Sequence, residues 1–136
     1  MAETWVFHVD GDITRLNFSI KKGGNEVLKL KKKLVAIMPE YTILQDGREI
    51  AKIKKKLKLI KPELTGTVNG QELRIAGDLM GHDFDIQIGG SMIGHVDTAR
   101  TIWSDCYRIR SFDRNQQDLV IALAIICDNV SDQESN

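Results

Sequence analysis

The chain reads as a mainly β protein: an antiparallel β-barrel made by a meander of repeated hairpins around one buried hydrophobic C-terminal helix. Three observations predict this class. Residues 24–43 (GNEVLKLKKKLVAIMPEYTI) return as residues 47–66 (GREIAKIKKKLKLIKPELTG), at a constant offset of 23. Glycine-bearing turn pairs recur at matching phase, and polar and apolar residues alternate with period two between them. From residue 118 the alternation stops and an unbroken apolar run replaces it.

The repeat names the folding unit. Its matched pairs include Gly24/Gly47, Glu26/Glu49, Lys29/Lys52, Lys31/Lys54, Lys33/Lys56, Leu34/Leu57, Pro39/Pro62 and Thr42/Thr65. A strand takes about five or six residues and a tight connection two to five, so one unit holds two strands and two turns. Inside it, Val27, Lys29, Lys31 and Lys33 fall on one face of a strand, and Leu28, Leu30 and Leu34 on the other. Gly23-Gly24, Asp46-Gly47, Asn69-Gly70 and Gly89-Gly90 have the chemistry of two-residue hairpin turns. The unit persists in weaker form at Gly70–Leu73 and Ser91–Ile93, and upstream at Phe18–Ile20. From Trp5 to Ile109 the spacing predicts a meander of roughly eight to ten strands. Lys32 and Lys55 fall on the inward phase, which predicts a bulge or strand end beside each lysine triplet.

Between Asp118 and Asp128 lie nine consecutive apolar residues, Leu119 to Cys127. That is far short of the ~20 needed to cross a bilayer. A helix apolar on every side is a buried one. Leu and Ala content and the Gln116-Gln117-Asp118 lead-in favour helix over strand, and place it inside the barrel as a plug.

At 136 residues the chain is read as one domain, residues 1–130, followed by a polar tail at 131–136 expected to fray. The opening MAETWVF lacks a basic segment followed by an apolar one, so no signal peptide is expected. Cys106 and Cys127 make neither a disulfide framework nor a zinc pattern and read as reduced, buried thiols of a cytoplasmic protein. Formal net charge is zero, yet residues 21–61 hold thirteen of the nineteen basic residues against four acids, a net +9. The remainder has six bases against fifteen acids, a net −9. The chain is a strong electrostatic dipole.

Four stretches together resemble the LURP-one-related family: KIKKKL at 52–57, GDLMGHDFDI at 77–86, WSDCYRI at 103–109, and the closing apolar helix. The resemblance runs from about Val6 to Val130, and its specificity lies in the order and spacing of the motifs. It implies a tubby-like fold shared with phospholipid scramblases, a twelve-stranded barrel enclosing a hydrophobic C-terminal helix. It also implies two further strands before the segment that begins at Val6, so this barrel is expected either to be open by two strands or to be completed by another chain. Unpaired edges invite pairing, and a homodimer or a partner strand at that edge is expected.

The functional excess in the sequence is the lysine ladder. Strands one repeat apart run the same way about 10 Å apart. Matched phase would place Lys29, Lys31 and Lys33 beside Lys52, Lys54 and Lys56 on one outer patch, extended by Lys58 and Lys61. These eight residues are the candidate headgroup-binding site. A lysine near an anionic bilayer contributes about 1 kcal/mol before screening, and the family resemblance adds phosphoinositides as the ligand class. The competing account is a solvated face that blunts aggregation. Nucleic acid is not expected, since only Tyr41 offers an aromatic near the ladder.

Other chemistry is weaker. His82-Asp83-Phe84-Asp85 and His95-Val96-Asp97 could meet across a hairpin, but their spacing is not diagnostic and no metal or other cofactor is expected. Cys106 has no local base, and the glycines sit at turns, with no phosphate loop or nucleophile elbow. The expectation is a non-enzymatic, cytoplasmic domain that docks peripherally on anionic membranes. The alternative is a protein-interaction module working through an exposed barrel edge.

Overall fold

The computed structural model describes residues 7–11, 17–35, 38–56, 63–78, 83–100 and 105–134, with side chains described over 17–33, 39–55, 63–78, 83–97 and 108–130. Ten strands follow in chain order: β1 (Phe7–Gly11), β2 (Asn17–Lys22), β3 (Asn25–Val35), β4 (Met38–Gln45), β5 (Arg48–Lys56), β6 (Glu63–Val68), β7 (Gln71–Asp78), β8 (Asp83–Ile88), β9 (Ser91–Arg100) and β10 (Asp105–Ser111). A single 3-10 turn at Arg114–Gln116 leads into α1 (Gln117–Glu134). Each strand pairs antiparallel with the next, so the sheet order is the chain order. The meander takes the upper value of the strand count expected from the repeat.

The turns explain why the repeat folds this way. At Asp46-Gly47 and Asn69-Gly70 both central residues have positive φ, 52° and 76° in one, 49° and 79° in the other. Two left-handed residues in a two-residue loop match the twist of the flanking strands, and Asp or Asn followed by Gly adopts that geometry at least cost. The Asn69-Gly70 hairpin keeps its register, whereas the hairpins at Gly23-Gly24, Asp46-Gly47 and Gly89-Gly90 skip one residue on the outgoing strand. Val27, Ile50 and Ile93 are left unpaired in the β2–β3, β4–β5 and β8–β9 ladders. These bulges send consecutive side chains inward: Ile50 and Ala51 are both buried, as are Ile93 and Gly94. Val27 therefore packs against the core instead of facing outward with the lysines, which corrects the simple alternation.

No bulge lies at the triplets themselves. The β3–β4 register is unbroken from Lys29↔Leu44 to Val35↔Met38, and β5–β6 from Ala51↔Val68 to Lys56↔Glu63. Lys32 keeps its inward phase instead, half-buried with Nζ 6.0 Å from the centroid of the Tyr41 ring. Burial lowers its pKa. Its long apolar stem can line the interior while the charged end stays near the rim.

The sheet curls about α1, which touches β3 and β4 on one side and β9 and β10 on the other. Val120, Ala122, Leu123 and Cys127 are fully buried, and Leu119, Ala124, Ile126 and Val130 nearly so. Gly94 lets the helix approach, because a Cβ there would lie 2.9 Å from both Val120 Cγ1 and Arg110 O. At the other end of the helix the Tyr41 hydroxyl donates to Asn129 Oδ1 at 2.6 Å. The helix starts one residue before Asp118 and runs to Glu134.

Among the described residues no pairing joins β1 to β10, so the sheet is curled but not closed. The described residues form ten strands where the family resemblance implied twelve. The seam leaves a mark on the core. Ile109 on β10 faces the same way as its partner Val96, yet Val96 is 2% exposed and Ile109 40%.

Candidate anion-binding face

Alternation in β3 and β5 puts Lys29, Lys31, Lys33, Lys52 and Lys54 outward, all exposed, while Leu28, Leu30, Ala51 and Ile53 fill the core. Lys56 belongs to β5 opposite Glu63, with its side chain outside the described set. Lys58 and Lys61 lie outside the described residues. Among the described residues Lys29, Lys31, Lys33 and Lys54 enter no ion pair with an acid.

The lateral order differs from the one the repeat predicts. Lys31 and Lys52 flank Thr42, and Lys33 and Lys54 flank Glu40. Residues level with one another are thus 21 apart in sequence, not 23, and Lys29 is level with Leu44 and Glu49. The bulge at Ile50 and the stagger between strands shift β5 along its axis relative to β3. Lys31 and Lys33 thus sit level with Lys52 and Lys54, each one step earlier in the other row.

The β4 strand also interleaves chemistry that inspection of the triplets alone does not reveal. Glu40 Oε1 lies 4.0 Å from Lys52 Nζ, and Glu49 Oε1 lies 3.8 Å from it. The face is therefore a basic patch with a carboxylate between its two rows, not six mutually repelling ammonium groups. Thr42 and Thr67 flank Lys52, and Thr65 flanks Lys54, so hydroxyls alternate with ammonium groups across the sheet. Such rows offer both charge and hydrogen-bond donors to an anion.

The second candidate cluster does assemble across β8 and β9. His95 Nδ1 lies 2.7 Å from Asp85 Oδ1, and Nε2 lies 3.2 Å from Asp83 Oδ1. Asp97 Oδ2 is 3.7 Å from Nε2, and Asp97 Oδ1 accepts from Arg108 Nε at 2.9 Å. Three carboxylates thus surround one imidazole, Asp85 as its hydrogen-bond partner and Asp83 and Asp97 as neighbouring charges, and among the described residues no group of His, Cys, Asp or Glu is arranged to hold a metal ion. His82 and the Cys106 side chain lie outside the described residues. Cys127 is wholly buried, and burial first, then the neighbouring Asp128, pushes its thiol pKa far up. The same causes, burial and then Cys127, raise that of Tyr41. No described helix is long and apolar enough to cross a membrane, which says nothing of strands.

An antiparallel meander curled about an apolar C-terminal helix, with one basic outer sector, makes this a mainly β domain compatible with a barrel-like fold. The family model for LURP-one-related proteins matches residues 2–128, nearly the whole chain, and the protein belongs to that family. No curated protein and no solved structure matches it.

Proposed function

We propose that this domain is a non-enzymatic, cytoplasmic module that docks peripherally on anionic phospholipid or phosphoinositide headgroups through the β3–β5 face. The observation that carries the reading is the exposure of five lysines on one continuous outer surface, four of them without an acidic partner among the described residues. A lysine at an anionic bilayer contributes about 1 kcal/mol, so five supply a weak and reversible attachment that salt reverses. The test is co-sedimentation with neutral, phosphatidylserine and phosphoinositide vesicles at low and high salt. The parent is expected to pellet with anionic vesicles at low salt only. The variant with Lys29, Lys31, Lys33, Lys52, Lys54 and Lys56 changed to Gln is expected to stay in solution. Parent protein that ignores every anionic vesicle would sink the reading.

The uncovered Ile109 favours a second reading, a strand added at the β10 edge by a second copy or another protein. That association would hardly respond to salt and would be lost in Ile109→Lys, and a concentration series by sedimentation velocity separates it from lipid docking.

A further inference from the structure

At the end of the sheet where the tight turns lie, a cleft of about 160 Å³ opens between the strand ends and the start of α1. Its apolar side is formed by Leu28, Ile50, Val68, Ile88 and Leu119. Its polar lining includes Gln116 and Asp118 together with Asn69, Gln71 and Asn115. None of these residues belongs to the lysine face.

Two lining atoms lack a hydrogen-bond donor. Gln116 Oε1 and Asp118 Oδ1 are buried, and neither has a hydrogen-bond partner. The Gln116 amide is oriented by its other end, since Nε2 donates to Asp113 Oδ2 at 3.3 Å. Lys22 Nζ lies 3.6 Å from Asp118 Oδ1, close enough for an ion pair and too far to donate a hydrogen bond. A buried acceptor without a donor forfeits its hydration with nothing in return, so native proteins rarely leave one bare. Both orphans are acceptors and one is a carboxylate, which rejects anions and calls for N–H donors.

We propose that this cleft binds a small primary ammonium ion on a short alkyl stem. Three N–H donors on one nitrogen can serve both acceptors at once, and the stem would lie on the apolar side. A cavity of about 150 Å³ accommodates a benzene-sized molecule, so the ligand has about six non-hydrogen atoms. The proposal does not depend on the lipid reading, and the two fail separately, because the lysine variants leave the cleft intact.

The test is an amide NMR titration of the full chain with n-butylammonium chloride, set against n-butanol, sodium butyrate and sodium chloride at equal ionic strength. The amine is expected to give saturable shifts at Asn69, Gln71, Gln116 and Leu119, with butanol weaker and butyrate without effect. Asp118→Asn is expected to weaken the amine about tenfold, the order contributed by a hydrogen bond to a charged group. Ile88→Phe, which fills the cleft from another strand, should abolish binding, and it remains informative if the Asp118 variant does not fold. Equal shifts from amine and sodium chloride would overturn the proposal, as would unchanged affinity in both variants. Ordered water on both acceptors that the amine does not displace would overturn it too.

Discussion

At the residue scale, the most consequential side chain on the basic face is an acid. Glu40 is level with Lys33 on one side and Lys54 on the other, and its carboxylate reaches Lys52. It lowers the self-repulsion of the lysines and thereby lets a folded β-sheet carry them. By the same charge it opposes an anionic membrane. Glu40→Gln should therefore tighten binding to anionic vesicles by an amount near that of one added charge, about 1 kcal/mol or roughly fivefold. A vesicle titration of the two proteins at one salt concentration reads this directly, and weaker binding by the variant would contradict it. Lys32 shows the opposite case. It belongs to a triplet by sequence, yet it faces Tyr41 inside the sheet and contributes nothing to the outer patch.

At the scale of elements, the fit between β9 and α1 leaves no room for a side chain at Gly94. Gly94 is buried against Val120, and any side chain there meets both that valine and the Arg110 carbonyl oxygen. A methyl group could be accommodated only by moving the helix or the β10 edge. Gly94→Val is expected to destabilise the fold by about 1–3 kcal/mol, the usual cost of overpacking. Urea unfolding followed by far-ultraviolet circular dichroism would measure it, and an unchanged midpoint would show that the helix is not held there. Turns and bulges form a second set of elements with one logic. The left-handed turn pairs set each hairpin, and the bulges at Val27 and Ile50, one repeat apart, set the phase of the lysines that follow. Hairpin positions were legible because Asp-Gly and Asn-Gly carry a local conformational preference. The bulges were not, because an unpaired residue is defined by its partner strand.

At the scale of the whole molecule, the charge asymmetry of the sequence becomes a spatial one. The outer face of β3–β5 is basic, whereas β7–β9 present Glu72, Asp78, Asp83, Asp85 and Asp97. Two strand spacings separate β5 from β7, where the acidic sector begins, roughly 10 Å. This exceeds the Debye length of about 8 Å at physiological salt, so the acidic sector hardly weakens the basic one while still orienting the molecule at long range in dilute buffer. Stability has its own dependence on pH. Tyr41 and Cys127 have raised pKa values in the folded state through burial, so they stay protonated where the unfolded chain ionises. Above the ordinary thiol value of 9.0 and phenol value of 10.0 the unfolded state binds fewer protons, and stability must fall as pH rises. Lys32, with its lowered pKa, works in the other direction but is only half-buried. Urea midpoints are expected to decline from about pH 9 upward in the parent. The decline should be shallower in Cys127→Ala, measured against that variant's own neutral-pH midpoint, and a parallel slope would assign the effect elsewhere.

Much of this architecture is written in short-range pattern. Period-two alternation marks the strands, paired turn residues mark the hairpins, nine apolar residues mark the helix, and the outward phase of Lys29, Lys31, Lys33, Lys52 and Lys54 follows from the same alternation. Each of these depends on residues within a few positions of one another, so the chain states them without reference to its partners. Three features depend on the packed molecule instead: the level at which one lysine row meets the other, the insertion of Glu40 between them, and the cleft that joins Ile50 and Val68 to Gln116 and Asp118. Strand stagger, bulge position and helix docking fix those, and all three are set by contacts between residues far apart in the chain.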